Sequence, residues 1–178
     1  MFLPKGSLIS GDVRHNYNPN KEATGVLNEE DFNKNIWNLI IKKLGELGYK
    51  TDDYTPKNME FYSSGESLKY IVRRANESQS SLHLSICFND ELLEGVRCLV
   101  GIFKWNAEKI ANQICKEISN LGLKNNGVRN AEIYILQYTK MPCILIEFAS
   151  IKTKENMKFY DEEEISAAIV KAITGKVY

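Results

Sequence analysis

Hydrophobic positions along the chain fall into short runs of strand length separated by longer stretches of helical spacing. Leu82-His83-Leu84-Ser85-Ile86-Cys87-Phe88 alternates apolar and polar with period two, the pattern of a strand. Leu8-Ile9-Ser10 predicts a short first strand ending at Gly11-Asp12, followed by a polar loop, Arg14 to Asn20, rich in turn formers. Phe32, Ile36, Leu39, Ile40 and Leu44 recur at helical spacing. Asn28 can cap that helix, Glu29, Glu30 and Asp31 complement its positive end, and Gly48 stops it. Tyr49–Tyr54 and Val96–Phe103 read as strands, and so do the apolar runs Ile133–Leu136 and Cys143–Phe148. Ser67–Asn76, Ala107–Leu121 and Glu162–Ile173 read as helices, the last acidic at its start.

Strands alternating with helices predict an α/β sandwich, with a largely parallel, helix-flanked sheet of about six strands in a single domain spanning 1–178. In such sheets, ligands bind beyond the carboxyl ends of the strands. Gly11-Asp12, Cys87-Phe88-Asn89 and Glu147 are thereby expected at one shared rim. Glu147 follows Cys-Ile-Leu-Ile in a run that reads as a central strand. A carboxylate there is costly to bury without a partner, which favours a site at the strand end over a core position. Asp12 reads equally as a turn residue after Gly11, and Glu29 as one of three acids serving the helix dipole.

Composition narrows the function classes. The chain has 178 residues, 23 basic and 23 acidic side chains and a formal charge of +0. Neutrality supplies no general attraction to nucleic acid or to an anionic membrane. No apolar run approaches the roughly 20 residues of a membrane span. The first residues show no basic-then-apolar leader, so cytoplasmic synthesis is expected, with any release to the cell wall by a holin-like or other non-signal route. Cys87, Cys98, Cys115 and Cys143 form no C-x-x-C pair, and His15 and His83 are the whole histidine complement. Zinc-ribbon, thioredoxin-type and His-rich metal motifs are therefore absent. A Cys87–His83 dyad is excluded as well, because four residues of strand separate the two by about 13 Å.

Several short motifs stand in a telling order: Gly11-Asp12 at a strand end, Gly25-Val26-Leu27-Asn28-Glu29 opening a helix, and Arg74-Ala75-Asn76. Ser85-Ile86-Cys87-Phe88-Asn89, Tyr134-Ile135-Leu136 and Ile144-Leu145-Ile146-Glu147 follow. Together, over about residues 7–175, they resemble the zinc-dependent N-acetylmuramoyl-L-alanine amidases of bacterial autolysins and phage endolysins. The resemblance implies peptidoglycan as substrate and hydrolysis of the amide between N-acetylmuramic acid and L-alanine. It implies one zinc ion held by a histidine after the first strand, a glutamate opening the first helix and a histidine in a Ser-Ile-His-x-Asn motif. A glutamate on the last strand acts on the attacking water. Carried onto this chain, the helix glutamate is Glu29, the catalytic glutamate is Glu147, and Asn89 is a substrate contact. The two histidine positions fall on Asp12 and Cys87, with His15 as the alternative to Asp12 if the loop is re-registered. Two carboxylates and a thiolate make zinc a weaker Lewis acid than two imidazoles and a carboxylate do. Impaired hydrolysis is one expectation, and a non-catalytic domain that binds peptidoglycan or a protein partner is its rival.

Overall fold

The computed structural model describes residues 2–14, 29–57, 59, 61, 63–89, 94–149 and 160–177. His15 and the capping Asn28 lie outside the described residues, as do the side chains of Glu29 and Asn89.

Among the described residues, six strands form one sheet: β1 (Leu8–Val13), β2 (Lys50–Asp53), β3 (Leu82–Asn89), β4 (Val96–Val100), β5 (Asn125–Asn130) and β6 (Cys143–Ala149). Their spatial order is β2-β1-β3-β6-β4-β5. Four of the five pairings are parallel, and only β4 runs antiparallel to its neighbour β6. Every residue of β6 is buried, as expected of a strand covered on both faces.

Among the described residues, five helices flank the sheet: α1 (Glu29–Glu46), α2 (Ser64–Ser78), α3 (Trp105–Ser119), α4 (Tyr134–Tyr138) and α5 (Glu162–Thr174). Helices α1, α3 and α5 cover one face, packing Phe32, Ile36, Ile110, Ile114, Ile165 and Ile169 onto Ile9, Leu84, Ile86 and Ile146. Helices α2 and α4 cover the other, where Ile71, Val72, Ala75, Ile135 and Leu136 meet Leu99, Cys143 and Leu145. Burying one such aliphatic side chain contributes about 1.5–3 kcal/mol, far more than helix propensity supplies. Local caps then set the ends. The Ser63 hydroxyl accepts from the Glu66 amide at 3.3 Å and the Asp161 carboxylate from the Glu164 amide at 3.0 Å. No described helix is long and apolar enough to cross a membrane.

Two expectations are corrected. Ile133–Leu136 is not a strand; Tyr134–Tyr138 forms the short helix α4. A short apolar run has no period long enough to separate the two states. What decides is the i,i+4 stacking of Tyr134 on Tyr138, with ring centroids 4.5 Å apart, and the burial of Ile135 and Leu136 under α2. The sixth strand is instead β5, Asn-Asn-Gly-Val-Arg-Asn, a polar edge strand without a buried residue. An edge strand needs only ladder partners, so its sequence carries little hydrophobic signal. Boundaries also moved. The first strand runs on through Val13, the Tyr49–Tyr54 strand shortens to Lys50–Asp53, and α2 starts at Ser64. The Val96–Phe103 strand ends at Val100, before Phe103 enters the left-handed region at φ 61°.

Gly11 shows how the sheet holds α1. A Cβ there would lie 2.4 Å from Cη2 of Trp37 and 2.7 Å from the Leu84 carbonyl oxygen. The Trp37 indole thus sits in the space that a side chain on β1 would fill. Gly11→Ala is expected to lower stability by about 1–3 kcal/mol through overpacking. Urea unfolding measures this, and an unchanged midpoint would contradict the contact.

Candidate functional site at the carboxyl ends of the strands

Alternation along a strand places Ser10, Asp12 and Arg14 of the first chain segment on the α2 side of the sheet. His83, Ser85 and Cys87 of β3 and Glu147 of β6 share that side, Cys87 packing against the α2–α4 core. These polar positions form two levels.

The lower level is sealed. Ser10, Asp12, His83 and Ser85 have no exposed surface. The His83 ring bridges Ser10 and Asp12, with Nδ1 2.9 Å from the Ser10 hydroxyl and Nε2 2.9 Å from Asp12 Oδ1. The Ser85 hydroxyl donates to the other Asp12 oxygen at 3.1 Å. The set closes when Nε2–H and Ser85 donate to the carboxylate and Ser10 donates to Nδ1; this assigns the tautomer from the bonding pattern. Tyr54 stacks on His83 with centroids 6.4 Å apart, and Arg74 lies 5.4 Å from the Tyr54 ring centre. A serine, a histidine and an aspartate in contact invite comparison with a hydrolytic triad. The Ser10 hydroxyl is inside the protein, however, where no scissile carbonyl can reach it, so the network is structural.

The upper level is the rim. Cys87 pairs in register with Glu147, and Glu147 with Arg97 on β4. Val13 pairs with Ile86 and the Arg14 amide bonds the Ile86 carbonyl, so Arg14 stands level with Cys87. Arg14, just past the end of β1, and Cys87, Glu147 and Arg97 on the three strands beside it therefore stand at one level. Arg97 grips Glu147 Oε2 through Nε at 2.7 Å and Nη2 at 2.6 Å, with side chains 13% and 7% exposed. Cys87 keeps some exposed surface, yet dense protein around its sulfur pushes the thiol up to about 12. Arg14 and Arg97 oppose that rise, and Glu147 and Asp12 reinforce it, so all four charges act on the thiol.

The expected rim is thus assembled in part. Cys87 and Glu147 are brought together at its centre, whereas Asp12 pairs with Ser85 and lies one level deeper. Glu29 opens α1, and His15 is outside the described residues. Arg97 was missed by sequence reasoning, although a signal existed. A cation between Val96 and Cys98 in an apolar strand requires a partner for the same reason that Glu147 does.

The sequence profile of the N-acetylmuramoyl-L-alanine amidase family matches residues 12–177. The chain belongs to this family. An uncharacterized protein of Clostridium perfringens strain 13 is 31% identical over 173 residues, covering 91% of this chain and 50% of its own length. The N-acetylmuramoyl-L-alanine amidase LytC of Bacillus subtilis strain 168 is 28% identical over 152 residues, covering 82% of this chain and 30% of itself. The chain thus spans half or less of these curated relatives. Among solved structures, the catalytic domain of the CD27L endolysin targeting Clostridia difficile superposes with a TM-score of 0.83. Its identity is 23%, with 97% of this chain and 99% of that one covered, a likeness of fold. The chain is an amidase-like α/β domain.

Membership in the amidase family implies zinc; of the ligands that the resemblance assigns, His15 and the side chain of Glu29 lie outside the described residues, and Asp12 is already engaged. Both Asp12 oxygens are taken by His83 and Ser85. Arg97 holds Glu147, and no three His, Cys, Asp or Glu side chains converge among the described residues. Asp12→Ala is expected to destabilise the fold by about 2–4 kcal/mol, because it leaves His83 and Ser85 buried without their acceptor. Denaturant unfolding tests this; a loss within the ±0.5 kcal/mol of ordinary surface substitutions would place Asp12 outside the core network.

Proposed function

We propose that this amidase-family domain engages peptidoglycan without carrying out zinc-dependent hydrolysis. The observation that carries the reading is the Asp12–His83–Ser85 network, which engages the carboxylate that the resemblance assigns, with His15 as the alternative, to the family's first histidine position. A metal ligand must present a lone pair to the rim, and this carboxylate is fully buried with each oxygen accepting a hydrogen bond inside the sheet. The Arg97–Glu147 pair supports the same reading. A general base needs a carboxylate oxygen directed at water, whereas Glu147 Oε2 accepts two N–H bonds from a guanidinium. What the family architecture leaves in place is a strand-end rim of the kind at which α/β domains bind ligands.

Amide hydrolysis of the MurNAc–L-alanine bond is the second reading. It is favoured by Glu147 at the carboxyl end of β6 and by Glu29 as the first residue of α1. In it, Glu29, Cys87 and either Asp12 or His15 are the metal ligands, and Asn89 is a substrate contact.

Purified cell-wall sacculi separate the two. The protein is expected to pellet with sacculi, to release no dye from labelled walls with or without added zinc, and to melt at the same temperature after chelation. Chelation leaves melting unchanged because no ligand selective for the native state is removed. Zinc-dependent wall lysis that disappears in Glu147→Ala would establish the hydrolytic reading instead.

A further inference from the structure

Two thiols that the rim does not use meet on the other face of the sheet. Cys98 lies in β4 and Cys115 in α3, and both are buried in the core packed by α1, α3 and α5. The Cys115 sulfur accepts from the thiol and from the backbone N–H of Cys98, and the Cys115 thiol faces the Gly127 carbonyl at 3.6 Å. Two groups of one cysteine directed at the sulfur of the other bring the side chains into contact. Cys87 and Cys143, the remaining cysteines, pack on the α2 face, so no third thiol competes.

The two thiols are unlike. The hydrogen bond from Cys98 holds the Cys115 thiol below its ordinary range, whereas burial holds Cys98 well above it. Cys115 is therefore the member that ionises and attacks, and Cys98 the member that resolves. Access comes through β5, whose Gly127 carbonyl touches the pair. That edge strand has no buried residue, and its ladder to β4 shifts register between Val96 and Cys98, opposite the left-handed Gly127 at φ 77°. An interrupted edge ladder opens locally at a lower free energy than a central one, which admits a small oxidant to the Cys115 sulfur.

We propose that Cys98 and Cys115 form a site of oxidative modification, a dithiol that a peroxide closes into a disulfide fastening α3 to β4. The inference stands apart from the rim and holds whether or not the rim hydrolyses. The Cys115 thiolate attacks a peroxide oxygen and the O–O bond breaks. Cys115 becomes a sulfenic acid, and the departing hydroxide takes up a proton and leaves as water. The Cys98 sulfur then displaces the sulfenic oxygen, which leaves with the Cys98 thiol proton as a second water while the S–S bond forms. The pair gives up two electrons and one peroxide is reduced to water. The new link closes the chain between residues 98 and 115, restricts the unfolded state and so stabilises the fold.

The test treats the full, reduced chain with a small molar excess of hydrogen peroxide. Thiols counted after unfolding should fall from four to two. The intact mass should drop by about 2 Da, the two hydrogens lost on closing one disulfide. A digest made without reductant should contain one peptide pair, joined through Cys98 and Cys115. The oxidised protein should unfold at a higher urea concentration, and dithiothreitol should restore both the thiol count and the midpoint. Cys115→Ser should abolish the link and leave Cys98 a thiol, whereas Cys87→Ala with Cys143→Ala should still form it. Four thiols surviving peroxide, a disulfide through Cys87 or Cys143, or a link between two chains would overturn the proposal. So would Cys115 stopping at sulfinic acid beside an unchanged Cys98, or an oxidised form that unfolds at lower urea.

Discussion

A carboxylate removed from water must find donors, and the polar half of this domain is organised by that requirement at two positions. Asp12 is satisfied by His83 and Ser85, and Glu147 by Arg97. Removing either set of donors would cost several kcal/mol, a large part of the stability of a domain this size. The Asp12 network ties β1 to β3 through side chains as well as through the ladder. The Arg97 pair ties β6 to its antiparallel neighbour β4. Together they set the spacing and charge of the strand ends where a ligand would sit.

The same sheet has a dry face, and the two faces constrain one another. On the α1 side, Gly11 lets the Trp37 indole lie against β1, while on the opposite side the next residue, Asp12, enters the polar network. A one-residue slip of β1 would bury a carboxylate under α1 and turn Gly11 toward His83. Register is therefore fixed from both sides, and it is register that brings Arg14 level with Cys87 and Glu147. Charged links on the helical layer add little by comparison. Lys171 meets Glu117 at 2.7 Å and Lys43 meets Glu163, but each pair keeps one partner substantially exposed and hence screened.

Much of the fold was legible in the chain because buried strands and amphipathic helices carry their own periodicity. The alternation from Leu82 to Phe88 and the Phe32–Leu44 stripe each yielded the correct element. The errors fell where burial is slight or the run is short. Asn125–Asn130 pairs with a neighbour through backbone groups that any sequence offers, and Ile133–Leu136 is too brief to display a period. The strand-end rim was legible in outline. Glu147 stood out as a charge in an apolar run, and Cys87 was placed on the same rim. Arg97 carried a comparable signal, whereas nothing local in Gly11-Asp12 indicated which way the carboxylate turns.

The sequence by itself determined the fold class and the family. Those are matters of residue identity and spacing, which a linear chain displays directly. Only the tertiary structure decided that Asp12 faces inward to a histidine 71 residues away and that Glu147 meets an arginine 50 residues before it. The reason is physical: a hydrogen bond depends on distance and angle, and strand register, which no local pattern states, brings those distant groups within reach.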